Sequence, residues 1–371
     1  DSIALWKTLN PQKTTLEVIL LIRQDAIGDF VIWLDTAKEY CKLYPPEKYR
    51  IVLVGNELWF DLAKELPFWD EVFPVEVKQF KTFSRYRWNL LRKVRNLGAQ
   101  IAIQPTFSRE FYHGDALIRA SGAVRKVSSA GDMSNRNRLK TFLANRWHTE
   151  LIPVSSEPLT ELERNAEFFS GLSHSPHLIS YPKLDIPEFW LSSEWKDENF
   201  YVLIPGTSGT VTGKEWPASS FSNIAKKVFQ KTGWKGIICG AQQEYILGEQ
   251  IRGQCDAPLQ NLSGQTTLPV LASLLSQSRL TLSNDTGAVF ISSAVGTPSV
   301  CILGGGHFGR FLPYPDLPGQ INNLKEIFHK MPCYGCNWDC VYPIKEGEPA
   351  PCIANVSVDT VWEKIKPLLT K

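Results

Sequence analysis

Residues 204–214 combine small, hydroxyl-bearing and basic side chains that suit phosphate binding. They follow an apolar stretch and contain three glycines, four hydroxyl side chains and one lysine, in the order IPGTSGTVTGK. Backbone N–H groups, hydroxyl donors and an ammonium group together favour phosphate oxygens. The loop is not a Walker A motif, because Ser208 stands where its first glycine belongs and Glu215 follows Lys214. A plain connecting loop stays the alternative. The candidate phosphate ligands are Gly206, Thr207, Ser208, Thr210 and Lys214.

A second candidate lies at residues 283–288, SNDTGA, between an apolar stretch and a helical pattern. The free N–H groups of a first helical turn, with the positive end of the helix dipole, can hold a diphosphate. Capping of the helix alone explains Asp285 and Thr286 equally well. The candidate ligands are Asp285, Thr286, Gly287 and Ala288.

Two further candidates follow predicted strands. Glu244, in the segment GAQQE at 240–244, can accept hydrogen bonds from ribose or sugar hydroxyls. An exposed glutamate that opens a helix is the alternative. His307 follows three glycines at a predicted strand end, where a loop position without a role is the alternative.

The turn at residues 24–29, QDAIGD, offers carboxylates instead of a phosphate loop. Only Gly28 is present where a dinucleotide fingerprint needs three glycines, which argues against NAD or FAD. A carboxylate here, Asp25 or Asp29, can take a proton from a hydroxyl. Stabilisation of a helix N-terminus by Asp29 is the alternative.

The elements that position these residues alternate between strand and helix. An apolar run at 17–23 precedes the first turn, and further βα units follow up to residue 104. Prolines at 176, 182 and 187 and a polar run at 192–199 indicate a connector, after which a second βα series starts at residue 200. The pattern predicts α/β architecture with two doubly wound domains, whose ligands bind beyond the carboxyl ends of the strands in a cleft.

These motifs together resemble glycosyltransferase family 9, the lipopolysaccharide heptosyltransferase-like enzymes. The resemblance runs over about residues 17–370. It rests on Arg23-x4-Gly28-Asp29, Pro205-Gly206 leading to Lys214-Glu215-Trp216-Pro217, Gly240 with Glu244, Asn261-Leu262-x-Gly264 with Thr267-Leu268, Asn284-Asp285-Thr286-Gly287, and Gly296-Thr297-Pro298.

The resemblance implies a GT-B fold with two Rossmann-like domains facing a cleft. Residues 1–185 are then the acceptor-side domain, 186–199 a linker and 200–355 the nucleotide-sugar domain, with residues 356–371 packing back on the first domain as a helix. It also implies inverting transfer of a sugar, such as a heptose, from a nucleotide-diphosphate donor to a surface glycan or glycolipid, without a required cofactor.

Asp29 maps to the family's general base, and Glu244 matches a donor-binding acid. Lys214, the loop hydroxyls and the N–H groups at 286–288 can stabilise the departing diphosphate. One departure is Phe290, where family members commonly have histidine three residues after Gly287. A non-catalytic sugar-nucleotide-binding or scaffold protein and a same-fold sugar-nucleotide epimerase stay the alternatives.

The charge distribution points to an anionic partner. The chain of 371 residues has a formal charge of +2, which argues against a general nucleic-acid binder. Residues 78–146, however, hold 15 Lys and Arg against three acids. In residues 84–97, Arg85, Arg87, Trp88, Arg92 and Arg95 interleave cations with an aromatic ring, which suits an anionic acceptor or the surface of an anionic membrane. A solvated helix face is the alternative.

No apolar run is long enough to cross a bilayer, and residues 1–13 lack the pattern of a secretory signal. The expected location is the cytoplasm, peripheral to the inner face of the membrane, although a signal removed earlier stays an alternative.

Four of the eight cysteines are clustered as Cys333, Cys336, Cys340 and Cys352. Four thiolates match the ligand count of a structural zinc site, but only one Cys-x2-Cys pair is present. Disulfide pairing and free thiols are the alternatives.

Overall fold

The chain divides between Ile179 and Ser180 into two compact units, each built around a parallel sheet. The computed structural model describes residues 16–196, 198–207, 211, 213–345 and 347–369. Each unit is described by itself.

The first unit contains a six-stranded parallel sheet in the order β3-β2-β1-β4-β5-β6. The central strand β1 is apolar and buried along nearly its whole length, and it pairs with β2 and β4 on its two sides. Strands buried on both faces read as continuous apolar runs, which is why this strand is predictable from sequence. The strands are β1 Glu17–Arg23, β2 Tyr49–Asn56, β3 Glu71–Val75, β4 Ile101–Gln104, β5 Arg125–Ser129 and β6 Glu150–Ile152.

Side-chain caps start several helices of this unit. Ser84 accepts from the backbone N–H of Arg87, and Thr160 forms a capping box with Glu163. Such caps satisfy N–H groups that have no partner inside the helix. The helices are α1 Ile27–Ala37, α2 Tyr40–Leu43, α3 Phe60–Ala63, α4 Arg85–Asn96, α5 Gly114–Ser121, α6 Arg138–Asn145 and α7 Glu161–Ser173, with a 3₁₀ turn at Glu57–Trp59.

The second unit repeats the strand order of the first. Its sheet runs β12-β11-β10-β7-β8-β9, all parallel, which is the same connectivity counted from β7. The predicted class, α/β with two doubly wound sheets, is confirmed. The strands are β7 Phe200–Ile204, β8 Lys235–Ile238, β9 Leu259–Asn261, β10 Thr281–Asn284, β11 Ser299–Ile302 and β12 Leu324–Ile327.

The helices of the second unit surround a core that includes the last helix of the chain. Val361 and Ile365 lie in the same buried cluster as Trp216 and Phe221, and the Trp216 indole donates to the carbonyl of Val356 at 2.8 Å. The helices are α8 Ala218–Thr232, α9 Tyr245–Gly253, α10 Leu268–Gln277, α11 Gly287–Ala294, α12 Pro351–Ala354 and α13 Val358–Ile365, with 3₁₀ turns at Glu188–Trp190, Gln242–Glu244 and Lys366–Leu368.

The apolar residues of α13 complete the core of the second unit, and the expected packing of residues 356–371 on the first domain stays a prediction. The second unit begins earlier than residue 186. Tyr181 donates to the carbonyl of Pro315 at 3.0 Å, and the Leu184 N–H donates to that of Ala294 at 2.9 Å, so both residues are fixed within the second unit.

No helix in the described part of the chain has the length and apolar character needed to cross a bilayer.

Candidate active site

The first candidate region lies at the carboxyl edge of the first sheet, where β1 and β4 are neighbours. The chain leaves these two strands toward opposite sides of the sheet, and ligands of doubly wound folds bind at such points. A cavity of about 190 Å³ opens there. Its polar lining consists of Gln24, Asp25, Gln104, Thr106, Ser108, Glu110 and His113.

Asp25 is the predicted site residue that lines this cavity, and its position is fixed from several sides. Its carboxylate lies 2.9 Å from Arg23 Nε and accepts from the Thr106 hydroxyl at 3.1 Å. Its backbone carbonyl accepts from the Trp59 indole at 2.9 Å and from the Asn56 amide at 3.3 Å. The turn after β1 is therefore held by side chains from two other strand ends.

Arg23 provides the charge beneath this turn. Its guanidinium is fully buried, lies 3.0 Å from Glu161 and donates to Asn165 at 2.8 Å. Burial opposes its charged form, but Asp25, Glu161 and Asp29 outweigh burial and raise its pKa. The arginine thus stays charged and ties β1 to the start of α7.

Asp29 lies in the first turn of α1, next to Gly28, and is half-buried. The helix starts at Ala26 without a side-chain cap, so an acid in this turn complements the helix dipole. Asp29 and Asp25 both act on the charge of Arg23. The structure therefore brings the two predicted carboxylates of this turn into one electrostatic group.

Sequence reasoning missed the residues that follow β4. His113 Nδ1 lies 2.6 Å from a Glu110 carboxylate oxygen, and the hydrogen bond from His113 lowers the pKa of Glu110. Both line the cavity beside Thr106 and Ser108. Their position after a predicted strand was the available signal.

A buried charged cluster holds this loop from behind. Asp115 accepts from Arg109 at 3.1 Å and from Arg136 at 3.3 Å, and His148 lies 3.7 Å away. Burial, followed by the charge of Arg109, lowers the pKa of His148 to about 3, so this imidazole is neutral at pH 7. Burial lowers the pKa of Arg109 to about 10, although Asp115 opposes the change.

The second candidate region is the corresponding edge of the second sheet, where β7 and β10 are neighbours. Asn284 at the end of β10 donates to the carbonyl of Pro205 at 2.6 Å and accepts from the Trp216 N–H at 3.2 Å. One buried amide thus fixes both the start of the predicted phosphate loop and the segment that carries Lys214.

Lys214 is the cation of this edge. Its ammonium lies 3.6 Å from an Asp285 carboxylate oxygen and 4.9 Å from the centre of a Trp338 ring. The structure therefore joins the two predicted motifs, at 204–214 and 283–288, through one ion pair. Ser208 and Thr210 of the same prediction lie outside the described residues.

Thr286, Gly287 and Ala288 form the start of α11, and all three are half-buried. Thr286 occupies the N-cap position, but its side chain makes no capping hydrogen bond. The structure therefore does not support the alternative that the Thr286 side chain caps this helix.

Two carboxylates approach Gly206 and Thr207. The Thr207 hydroxyl donates to Glu215 at 3.3 Å, and Glu244 accepts from the Ala241 N–H at 2.7 Å. A Cβ atom on Gly206 would overlap the Glu244 carboxyl group, so only glycine allows this approach. Burial, together with the charge of Glu244, raises the pKa of Glu215 although Thr207 opposes the change. Glu215 is therefore a further candidate site residue. From the sequence it was noted as part of a motif but was not predicted to have a role.

His307 belongs to the surroundings of Lys214. Burial lowers its pKa, and Lys214 and Asp285 both contribute to the field that it experiences. Its Nε2 lies 2.7 Å from the Asn337 amide oxygen. Phe290, by contrast, is buried, with its ring 6.2 Å from that of Tyr314.

The four clustered cysteines are half-buried free thiols. Burial, together with Cys333, Cys340 and Cys336, raises the pKa of Cys352, although the backbone at Gly305 opposes the change. No group of three or more His, Cys, Asp or Glu in the described ranges is arranged to hold a metal ion. A structural zinc site at these four cysteines stays a prediction.

The C-terminal segment with these cysteines nevertheless contacts the site. Its backbone bonds to Gly305 and Gly306, and the Trp338 ring lies against Gly304 and Gly306. This packing places the Trp338 ring beside Lys214.

Comparison with known proteins points to one family. Residues 160–337 match the model of glycosyltransferase family 9 (heptosyltransferase). A lipooligosaccharide heptosyltransferase 2 from Campylobacter jejuni is 26% identical over 170 residues, which are 45% of this chain and 51% of that protein. The chain spans about half the length of the curated relatives that it matches.

Solved structures extend the likeness over nearly the whole fold. The ADP-heptose lipopolysaccharide heptosyltransferase II of E. coli superposes with a TM-score of 0.69 at 17% identity, covering 95% of this chain and 98% of that one. A family 9 glycosyltransferase from Veillonella parvula gives 0.72 at 17% identity, covering 96% and 98%. The resemblance of this chain to the heptosyltransferase-like proteins of glycosyltransferase family 9 is thereby confirmed, together with their GT-B fold.

Proposed function

We propose that this chain is an inverting glycosyltransferase that moves a sugar from a nucleotide-diphosphate donor to a glycan or glycolipid acceptor of the lipopolysaccharide type. The observation that carries the proposal is the pair of sheet edges with complementary chemistry. One edge carries the carboxylates of Asp25 and Asp29, and the other carries Lys214 and the start of α11. A heptose as the transferred sugar is supported by the names of the relatives.

Asp29 is the proposed general base. The acceptor hydroxyl must lose its proton as it attacks the anomeric carbon, and a carboxylate within hydrogen-bond reach can take that proton. Asp25 is already engaged by Arg23 and Thr106, which suits it to orient the turn. The carboxylate, hydroxyl and amide groups around the cavity suit the hydroxyl groups of an acceptor sugar.

Lys214 and the first-turn N–H groups at Gly287 and Ala288 are the proposed stabilisers of the leaving diphosphate. Negative charge builds up on the diphosphate as the sugar leaves, and fixed positive groups aimed at that charge lower the barrier. The same groups supply a role that a metal ion has in other transferases, so transfer is proposed to need no metal. Glu244, which lies against Gly206, is proposed to accept hydrogen bonds from ribose hydroxyls.

The acceptor is proposed to be anionic, and the enzyme to work on the cytoplasmic side at the membrane surface. Support comes from the 15 basic residues against three acids in residues 78–146, all within the first unit. The near-neutral total charge does not favour nucleic acid as a partner.

Substitution of Asp29 by asparagine tests the chemistry separately from donor binding. We expect Asp29→Asn to lower the transfer rate by about 10²–10⁴-fold, the usual weight of general-base catalysis. Donor binding should persist, measured as thermal stabilisation by ADP-, GDP-, UDP- and dTDP-sugars. A bound donor at about 100 times its dissociation constant adds about 2.7 kcal/mol.

Asp61→Asn is the matched control, because Asp61 is an exposed helix acid that pairs with Lys64 at 2.8 Å. Transfer at a nearly unchanged rate in Asp29→Asn would overturn the assignment of the base, and Asp25→Asn would be examined next. If no nucleotide sugar stabilises the wild-type protein, the proposed donor class is wrong.

A further inference from the structure

Helix α6 is attached to the first unit by very little of its surface. Only Ala144 of its eight residues is buried. Leu139 is 66% exposed, Phe142 54% and Leu143 38%, so three large apolar side chains of one short helix face solvent. Clustered exposed apolar residues of this kind mark interaction surfaces.

A groove adjoins this helix. It has a volume of about 330 Å³ and is formed with α4 and α5. Leu143 and Trp147 contribute one wall, and Leu91, Tyr112 and Arg119 contribute others. The exposed face of α6 therefore continues into a largely apolar depression.

The cations of this surface stack on aromatic rings. The Arg119 guanidinium lies 4.8 Å from the centre of the Trp147 ring, and the Lys140 ammonium lies 4.8 Å from that of Tyr112. The Arg146 guanidinium lies 4.2 Å from the Phe142 ring. Stacking covers the apolar parts of these side chains, and no acid among the described residues forms an ion pair with Arg119, Lys140 or Arg146.

The acids near α6 in sequence are occupied elsewhere, and Glu150, which follows the helix, pairs with Arg125 at 2.9 Å. Asp115 is fully buried between Arg109 and Arg136, and Glu110 is paired with His113. Asp132 accepts from the hydroxyls of Ser108 and Ser134. The surface of α6 thus combines net positive charge with exposed apolar side chains.

The sequence instead favours α4 as the surface that meets an anionic partner. The run of Arg85, Arg87, Trp88, Arg92 and Arg95 lies on α4. Arg87 is buried, donates to the carbonyl of Tyr112 and lies 4.4 Å from the Phe80 ring. Leu90, Leu91 and Val94 of the same helix belong to the core. Helix α4 therefore has its apolar residues committed inside the fold, whereas α6 has them free.

We propose that α6, with the groove lined by Trp147 and Arg119, docks on an anionic lipid bilayer. Leu139, Phe142 and Leu143 enter the boundary between headgroups and acyl chains, while Arg138, Lys140, Arg146 and Arg119 contact lipid phosphates. Amphipathic basic helices bind bilayers by this combination of apolar area and charge. The inference rests on the proposed membrane contact and not on the transfer reaction.

Vesicle sedimentation tests the two components of this surface. Phosphatidylcholine vesicles with and without phosphatidylglycerol are the probes, and the full chain is used. We expect wild-type binding only to the anionic vesicles, weakening with salt. L139S/F142S should weaken it at least about tenfold through loss of inserted apolar area.

R138Q/R146Q should weaken binding about 25-fold, because each cation near an anionic surface contributes about 1 kcal/mol, or about fivefold. The salt dependence of the remaining binding should also be smaller. F189S/I246S is the matched apolar control, since Phe189 and Ile246 of the second unit are 78% and 69% exposed. This control should bind as the wild type does.

Cooperative thermal unfolding followed by circular dichroism, measured on each variant, verifies that it is folded. Unchanged vesicle binding in L139S/F142S would overturn the proposal, as would absence of wild-type binding. A wild-type dimer in light scattering that L139S/F142S converts to monomer would assign the face to a second copy and overturn it also. Vesicle binding that depends on α6 in a protein without transferase activity would retain this inference while the proposed function fails.

Discussion

The carboxyl edges of the two sheets have the same strand connectivity, but different kinds of residue hold the loops at each edge. At the first edge, side chains at or just after the ends of β1, β2 and β4 hold the turn after β1: Arg23, Asn56, Trp59 and Thr106 all contact Asp25. At the second edge, glycines stand at positions 206 and 287, and the buried Asn284 amide is the anchor that joins Pro205 to Trp216. Identical topology therefore does not determine what an edge can bind.

The difference corresponds to two chemical tasks. A proton acceptor must be held within hydrogen-bond reach of the proton that it removes, and a network of buried side chains gives that precision. A phosphate group needs several N–H donors at short distance, which requires residues with small or no side chains. We infer that buried charged side chains fix the turn at the first edge. At the second edge, glycines allow a ligand to approach the backbone N–H groups closely.

Removal of the charge beneath the first edge should have the largest effect. Arg23→Met keeps most of the side-chain volume but leaves Glu161 buried without its cation. We expect a loss of about 3–5 kcal/mol in the free energy of unfolding, as for other broken buried pairs. Urea denaturation followed by circular dichroism measures it.

Arg252→Met is the control for this prediction, because Arg252 pairs with Glu249 on the surface of α9 and is 53% exposed. A surface pair contributes about 0–1 kcal/mol. Equal losses in the two variants would show that the first edge does not depend on its buried arginine.

The second edge should respond in activity more than in stability. Lys214→Met removes the cation proposed to face the leaving diphosphate. We expect kcat/KM for transfer to fall by about 10²–10³-fold, the cost of losing one donor to a developing negative charge. Steady-state kinetics with the donor found by thermal shift gives this ratio.

Lys227 offers an unusually close control, since its ammonium also lies 3.6 Å from an aspartate, Asp359, and 5.7 Å from a tryptophan ring, Trp362. It lies away from the strand ends, on α8. Lys227→Met should therefore transfer at nearly the wild-type rate. A comparable loss in both variants would contradict the role given to Lys214.

Much of this fold was predictable because its central strands are apolar along nearly their whole length. The runs at β1 and β7 and the turns after them carry their own signal, and the class follows from their alternation with helices. Strands β5 and β6 were not recognised, because RKVSS and ELI are short and half polar. The contribution of α13 to the core of the second unit was not recognised either, because an amphipathic pattern does not specify the surface that a helix covers.

The site residues could be predicted where they occupy one short segment. They could not be predicted where they come from separate segments. The turn of Asp25 and Asp29 and the loop of Lys214 each occupy one short segment. The cluster around Asp115, however, joins Arg109, Arg136 and His148 from three different segments. When a buried charge has partners that are distant in sequence, the spacing of the residues does not reveal them, because only folding brings them together.

The glycine requirement of the second edge gives a smaller expected effect. Gly206→Ala places a Cβ atom where the Glu244 carboxyl group lies, so this carboxylate must move. We expect donor affinity to fall about tenfold, which is about 1.4 kcal/mol and the weight of one hydrogen bond to a charged group. Isothermal titration calorimetry with the donor measures it.

Gly253→Ala is the matched change, because a Cβ atom there meets nothing within 4 Å at the end of α9. It should leave donor affinity unchanged and stabilise the helix slightly. If Gly206→Ala also leaves the affinity unchanged, Glu244 does not contact the donor from its present position.

The smallest expected effect is a pH dependence that separates two glutamates of the second unit. Burial and the charge of Glu244 raise the pKa of Glu215 above 4.5 in the folded protein, whereas the unfolded chain has the ordinary value. Between these two values the folded state binds more protons than the unfolded state, so Glu215 makes stability fall as pH rises. Glu215→Gln should remove that part of the slope.

Glu249 should show the opposite sign, because hydrogen bonds from Asn261 and then Arg252 lower its pKa. Its stabilising contribution is present above the ordinary pKa and is lost as pH falls, and Glu249→Gln should remove it. Thermal unfolding of both variants between about pH 4 and 7 compares them over the range in which carboxyl groups titrate. Equal slopes in Glu215→Gln and the wild type would mean that the Glu215 carboxyl group at the second edge is as well solvated as in the unfolded chain.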